Sequence, residues 1–126
     1  PFPDEQAQGP AIAAVPFTWA DPAVLPQREP LYGHHYHRRF LSTTVAPGGV
    51  GKSSLGIVEA LAMASGKPLL GVPPRGRLKV WVYNLEDPLD EIQRRIAAAA
   101  LHYELRAEDL EGYLFVNSGR DTELVL

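Results

Sequence analysis

The sequence predicts an α/β fold, a parallel sheet with flanking helices. Three observations lead there. Extended and helical patterns alternate along the chain in the order strand, helix, strand, helix, strand. A glycine-rich loop joins the first strand to the first helix. Leu78–Leu85 (LKVWVYNL) is a near-continuous apolar run, the pattern of a parallel strand buried on both faces. Parallel neighbours require right-handed crossovers, and the intervening helices supply them.

The elements follow in order. Seven of the 12 prolines lie in residues 1–30, at Pro1, Pro3, Pro10, Pro16, Pro22, Pro26 and Pro30. Proline fixes φ and cannot donate to a ladder, so 1–30 reads as an extended, irregular arm or linker. Phe17, Trp19 and Leu25 are the side chains able to pin it to the domain or to a neighbouring subunit. Residues 31–126 form the domain. Arg39–Ala46 (RFLSTTVA), rich in β-branched and aromatic types, predicts a strand. Ser53–Ala64 carries Leu55, Val58, Leu61 and Ala62 at helical spacing and predicts a helix, stopped by Gly66 in the left-handed C-terminal position. Pro73–Gly76 is a turn, and Leu78–Leu85 is the second strand. Asp87 then serves as N-cap and Pro88 as first residue of a helix whose inner stripe is Ile92, Ile96, Ala99 or Ala100, and Tyr103. Asp90, Glu91, Arg94 and Arg95 fall on its solvated side. A helical turn at Ala107–Leu110 precedes the third strand, Tyr113–Asn117, and the tail Leu124–Leu126 ends in apolar residues.

Composition removes several function classes. A length of 126 residues points to one domain, and 15 acidic against 12 basic residues give a net charge of −3, which excludes a surface made wholly of nucleic-acid contacts. A hydrophobic content of 45% excludes a disordered chain. No apolar run reaches the ~20 residues that span a bilayer, and the N-terminus has no signal-peptide pattern. Without cysteine there are no disulfides or thiolate sites, and the cytoplasm is the expected compartment. Gly33–Arg39 (GHHYHRR) lacks an acid or cysteine beside its histidines, so it reads as a solvated basic edge or a subunit contact rather than a metal site.

The chemistry concentrates in the glycine loop. Ala46, Pro47, Gly48, Gly49, Val50, Gly51, Lys52 and Ser53 match the phosphate-binding pattern Ala/Gly-x4-Gly-Lys-Ser/Thr, placed between a strand and a helix. The glycines let successive N–H groups turn toward phosphate oxygens, and the positive end of the helix, at Ser53 and Ser54, points at the same spot. Lys52 brings an ammonium to the β- and γ-phosphates, and Ser53 offers a hydroxyl to Mg2+, which takes few protein ligands. No Asn-Lys-x-Asp run that would read guanine is present, which favours ATP. A second constellation, Asn84-Leu85-Glu86-Asp87, ends the second strand. Residues beyond the carboxyl ends of parallel strands share one crevice, so Glu86 is expected on the edge of the phosphate loop, able to orient or deprotonate an attacking water.

Residues 30–126 contain LYGHHYHRRFLSTTVAPGGVGKSSLGIVEALAMASGKPLLG, then VWVYNLEDPLDEIQRRI, then LFVNSGRD. This sequence resembles the RecA-like ATPases of the AAA family, in particular the RepA-type hexameric replicative helicases. The resemblance implies an ATP- and Mg2+-dependent DNA motor acting as a homo-hexamer in plasmid, phage or bacterial replication. It implies that Glu86 is the catalytic base and that Lys52 shares the catalytic work. It also implies a Walker B aspartate, an arginine finger and DNA-binding loops outside this sequence, since Asp121 lies on no apolar strand. The chain, which starts at Pro1, is then expected to be the N-terminal part of an ATPase, its sheet incomplete, inactive and poorly soluble alone. The alternative is a module that uses bound ATP to gate assembly without moving along DNA.

Overall fold

The computed structural model describes residues 11–121. Pro1, Pro3, Pro10 and the apolar tail at Leu124–Leu126 lie outside the described residues. Residues 11–29 are exposed throughout, with one 3-10 turn at Pro22–Val24 where the Asp21 carboxylate accepts from the Ala23 N–H at 3.0 Å. Phe17 and Trp19 pack edge-on against each other and stay exposed, so they do not pin the arm to the domain.

The ordered elements begin with a small antiparallel hairpin, β1 (Pro30–Tyr32) and β2 (Tyr36–His37), turned by Gly33 at φ 57°. The stretch, expected as an entry strand, instead turns back on itself at Gly33, because its anchor is distant in sequence. The His35 imidazole donates to Glu59 at 2.5 Å, and the Tyr36 hydroxyl donates to the other Glu59 oxygen at 3.3 Å. Glu59 is buried in the middle of α1 (Lys52–Ser65), so the histidine segment is a contact within the chain. Burial, with the Glu59 charge adding to it, pushes the phenols of Tyr32 and Tyr36 above their ordinary pKa.

The expected first strand, Arg39–Ala46, does not form. Its composition suits a pleated surface, but β propensity is realised only against a neighbouring strand. Among the described residues nothing ladders with it, and Leu41 is 95% exposed. The sheet of the domain is therefore a parallel pair, β3 (Val80–Asn84) and β4 (Leu114–Ser118), in the register Val80↔Leu114 through Asn84↔Ser118. It is an α/β arrangement with two parallel strands in place of three.

β3 is not covered on both faces, as its apolar run led us to expect. α1 packs on both strands and α2 (Leu89–His102) on β4. On the opposite face Trp81, paired in register with Phe115, is 58% exposed. Trp81 compensates through its indole N–H, which donates to the Asn117 side chain at 2.8 Å. The core lies on the helix side. Ile57, Ala60, Leu61, Ala62 and Ala64 of α1 meet Ile92 of α2, and the three alanines let α1 approach closely. Leu55, assigned to the inner stripe, is instead 44% exposed at the first turn of α1. Gly66 closes the helix at φ 74°, its N–H bonded to the Ala62 carbonyl at 2.8 Å.

Arg77 ties the C-terminal end of α1 to α3 (Ala107–Leu110). Its guanidinium donates to the carbonyls of Ala64 at 2.9 Å and Glu108 at 2.8 Å and lies 3.8 Å above the Tyr113 ring. Among the described residues no helix is long and apolar enough to cross a membrane.

Candidate functional site: a cleft between the glycine loop and an acidic turn

α1 begins without a side-chain cap. Gly51, at φ 96°, is its N-cap, and no acid occupies the first turn. The first N–H groups of a helix have no partner within it, so this end is open to an anion. Gly49 (φ 77°) and Gly51 both occupy left-handed backbone, which an L side chain disfavours by ~1–2 kcal/mol. The pattern of glycines in the loop is thus a backbone requirement.

An open cleft of about 620 Å³ lies over this helix end. Gly48, Gly49, Gly51, Lys52, Ser53 and Ser54 form one bank, and Glu86 and Arg95 form the other. Glu86 is brought here because β3 ends at Asn84 on the same edge of the sheet as the start of α1. Ala46, Pro47 and Val50, also read as nucleotide-binding positions, do not line the cleft. Ala46 contributes through its carbonyl, which accepts from the Lys52 ammonium at 2.9 Å, and Val50 faces solvent.

Two readings of the acidic turn change. Asp87 does not cap α2; Pro88 occupies the N-cap position. The Asp87 carboxylate is engaged elsewhere, accepting from the Asn84 amide at 3.2 Å and from Arg95 at 3.1 Å. Arg95 is correspondingly more than a solvated side chain, although 39% of it stays exposed. It bridges Asp87 and Glu91 and turns its cationic head into the cleft, while Arg94 stays outside on Asp90 and Glu91. Helical spacing places Arg95 next to Arg94 on the outer face, and it misses the inward pull of Asp87, just before the N-cap of the helix. The sequence signal was available, since Asp87 and Arg95 stand two helical turns apart.

The sequence pattern of the AAA domain family matches residues 6–125. The chain belongs to that family. The match takes in most of the proline-rich arm and runs on to residue 125. No curated protein and no solved structure gave a match. An AAA domain is an ATPase-type nucleotide-binding module, and the cleft of this AAA domain has the chemistry for it. One bank offers the first backbone N–H groups of α1, a primary ammonium and hydroxyls. The other offers a carboxylate and a guanidinium.

Proposed function

We propose that this AAA domain binds ATP across the cleft and hydrolyses its terminal phosphoanhydride, as the motor domain of a RepA-like helicase acting on DNA in a ring of identical subunits. The observation that carries the reading is the meeting, in one cleft, of a phosphate-binding loop and a strand-end glutamate far apart in sequence. The homo-hexamer, the DNA partner and the replication context rest on the resemblance of the sequence alone.

The residues divide the work. Backbone N–H groups at Gly49–Ser54 receive phosphate oxygens. Lys52 leaves the Ala46 carbonyl to donate to the β- and γ-phosphates, where positive charge offsets the charge that spreads over the transferred group. Glu86 accepts a proton from the water as its oxygen attacks the γ-phosphorus; the bond to the β,γ-bridging oxygen breaks, and ADP and phosphate leave. Arg95, already balanced by Asp87 and Glu91, adds a fixed cation beside the acid. The donor set fits Mg2+, which needs few protein oxygens: the Ser53 hydroxyl would hold it with phosphate oxygens. When bound, Mg2+ neutralises phosphate charge.

Two substitutions in the full-length protein test the reading. Lys52→Ala removes a charge-assisted contact of ~1.5–3 kcal/mol, so ATP affinity by calorimetry should fall about tenfold to over a hundredfold. An unchanged affinity would remove the loop from nucleotide binding. Glu86→Gln keeps shape and loses the base, so turnover should fall about 10²–10⁴-fold while ATP still binds. Turnover at the parent rate would favour the module that binds ATP as an assembly gate.

A further inference from the structure

The Glu86 side chain is exposed, and among the described residues no hydrogen bond holds its carboxylate. Its backbone, in contrast, is held from both sides. The N–H groups of Glu86 and Asp87 both donate to the Asn84 side-chain oxygen at 2.8 Å. From the end of β4, Gly119 N–H donates to the Asn84 carbonyl and the Ser118 hydroxyl donates to the Asp87 carbonyl, both at 2.6 Å. The Arg120 guanidinium Nε–H then donates to the carbonyl of Glu86 itself at 2.7 Å.

These contacts form one unit. Ser118 is buried to 1% exposure and also accepts from the Arg120 N–H at 3.1 Å, which fixes the path of the chain into Arg120. Gly119 allows the approach. A Cβ there would sit 3.0 Å from the Leu85 Cα and 2.9 Å from its side chain, too close for any residue but glycine unless Leu85 moves. The strand ladder ends at Asn84↔Ser118, so beyond it the bonds just described, among the described residues, hold the Glu86 peptide.

We propose that Ser118-Gly119-Arg120 is a latch that positions Glu86, with Arg120 the positioning residue that fixes the peptide from which the carboxylate projects. The latch deepens the reading of Glu86 as the water-activating base and rests on it. A base acts only within hydrogen-bond reach of its proton, and a misplacement of ~1 Å costs on the order of a hundredfold. Arg120 lines no part of the cleft, so its loss acts through Glu86 and leaves ATP contacts in place.

The test is steady-state ATPase kinetics of the full-length protein with Arg120→Ala, Arg120→Lys, Glu86→Gln and the Glu86→Gln/Arg120→Ala double variant, alongside calorimetric ATP binding and thermal melts. Arg120→Ala should lower kcat about tenfold to a hundredfold with KM for ATP and ATP affinity within about twofold. Arg120→Lys keeps one donor for one carbonyl and should recover much of the rate. In the double variant the loss should equal that of Glu86→Gln alone, because the latch has nothing left to aim. The latch is overturned if Arg120→Ala keeps the parent kcat while Glu86→Gln loses it. It is also overturned if the two losses multiply, or if KM rises with the fall in kcat. Full turnover in Glu86→Gln would overturn the base and the latch together. Should Arg120→Ala lose its cooperative melt, the comparison passes to Arg120→Gln against Arg120→Lys, where a reduced kcat at parent-like KM in Arg120→Gln, largely recovered in Arg120→Lys, supports the latch and a parent-like kcat in Arg120→Gln refutes it.

Discussion

The two banks of the cleft are built on opposite principles. The glycine loop is preceded by an extended segment, Arg39–Ala46, that ladders with nothing among the described residues, and within the cleft its one side-chain bond is Lys52 to the Ala46 carbonyl. The acidic turn is tied at Asn84, Glu86 and Asp87 by the end of β4 and by Arg95. Among the described residues, one bank is lightly tied and the backbone of the other is held at several points. The contrast suits the proposed reading, in which flexible phosphates are wrapped and the base projects from a fixed peptide.

The comparison can be broken at its common root. Leu61, fully buried in α1, supports both banks, and Leu61→Ala should cost ~2–5 kcal/mol through lost burial and the cavity left behind. Urea unfolding of the full-length protein measures it, and a loss under 1 kcal/mol would mean the helix is not the keel of the domain. It can be sharpened by one change on each bank. Gly119→Ala forces Leu85 aside and should destabilise by ~1–3 kcal/mol. Leu41→Ala, in the unladdered segment, should stay within ~0.5 kcal/mol. Equal effects would dissolve the distinction.

The smallest effect expected lies away from the cleft. The Arg106 backbone N–H, and after it the Lys67 ammonium at 3.2 Å, hold the Asp109 carboxyl below the usual range. A carboxyl depressed in the folded state stabilises above its unfolded pKa of ~3.9 and ceases to as pH falls through the folded value. The melting temperature should therefore decline below about pH 4, and the decline should be shallower in Asp109→Asn.

Much of this was legible in the sequence, for a physical reason. Glycines forced by positive φ, an N-cap without a side chain and an acid at the end of a β-rich run are local facts, written within a few residues. The parallel pairing of the second and third strands followed from their apolar patterning. What was not legible depends on partners distant in the chain. The β1–β2 hairpin is explained by Glu59, 24 residues from His35. The hold of Arg120 on Glu86 spans 34 residues. Arg39–Ala46 shows the converse error, a strand composition without a neighbouring strand to complete it.

The bond between His35 and Glu59 also has a meaning in polymer terms. The chain leaves the hairpin at His37, runs through the unladdered segment and the glycine loop, and returns in α1, which holds Glu59. The contact closes that stretch into a ring anchored at both ends. The cost of closing a flexible ring is met at the hairpin, on folding, before any ligand arrives. The segment between those anchors is unladdered, yet its ends cannot drift apart. On the proposed function, a nucleotide entering the cleft meets a noose already tied to its post.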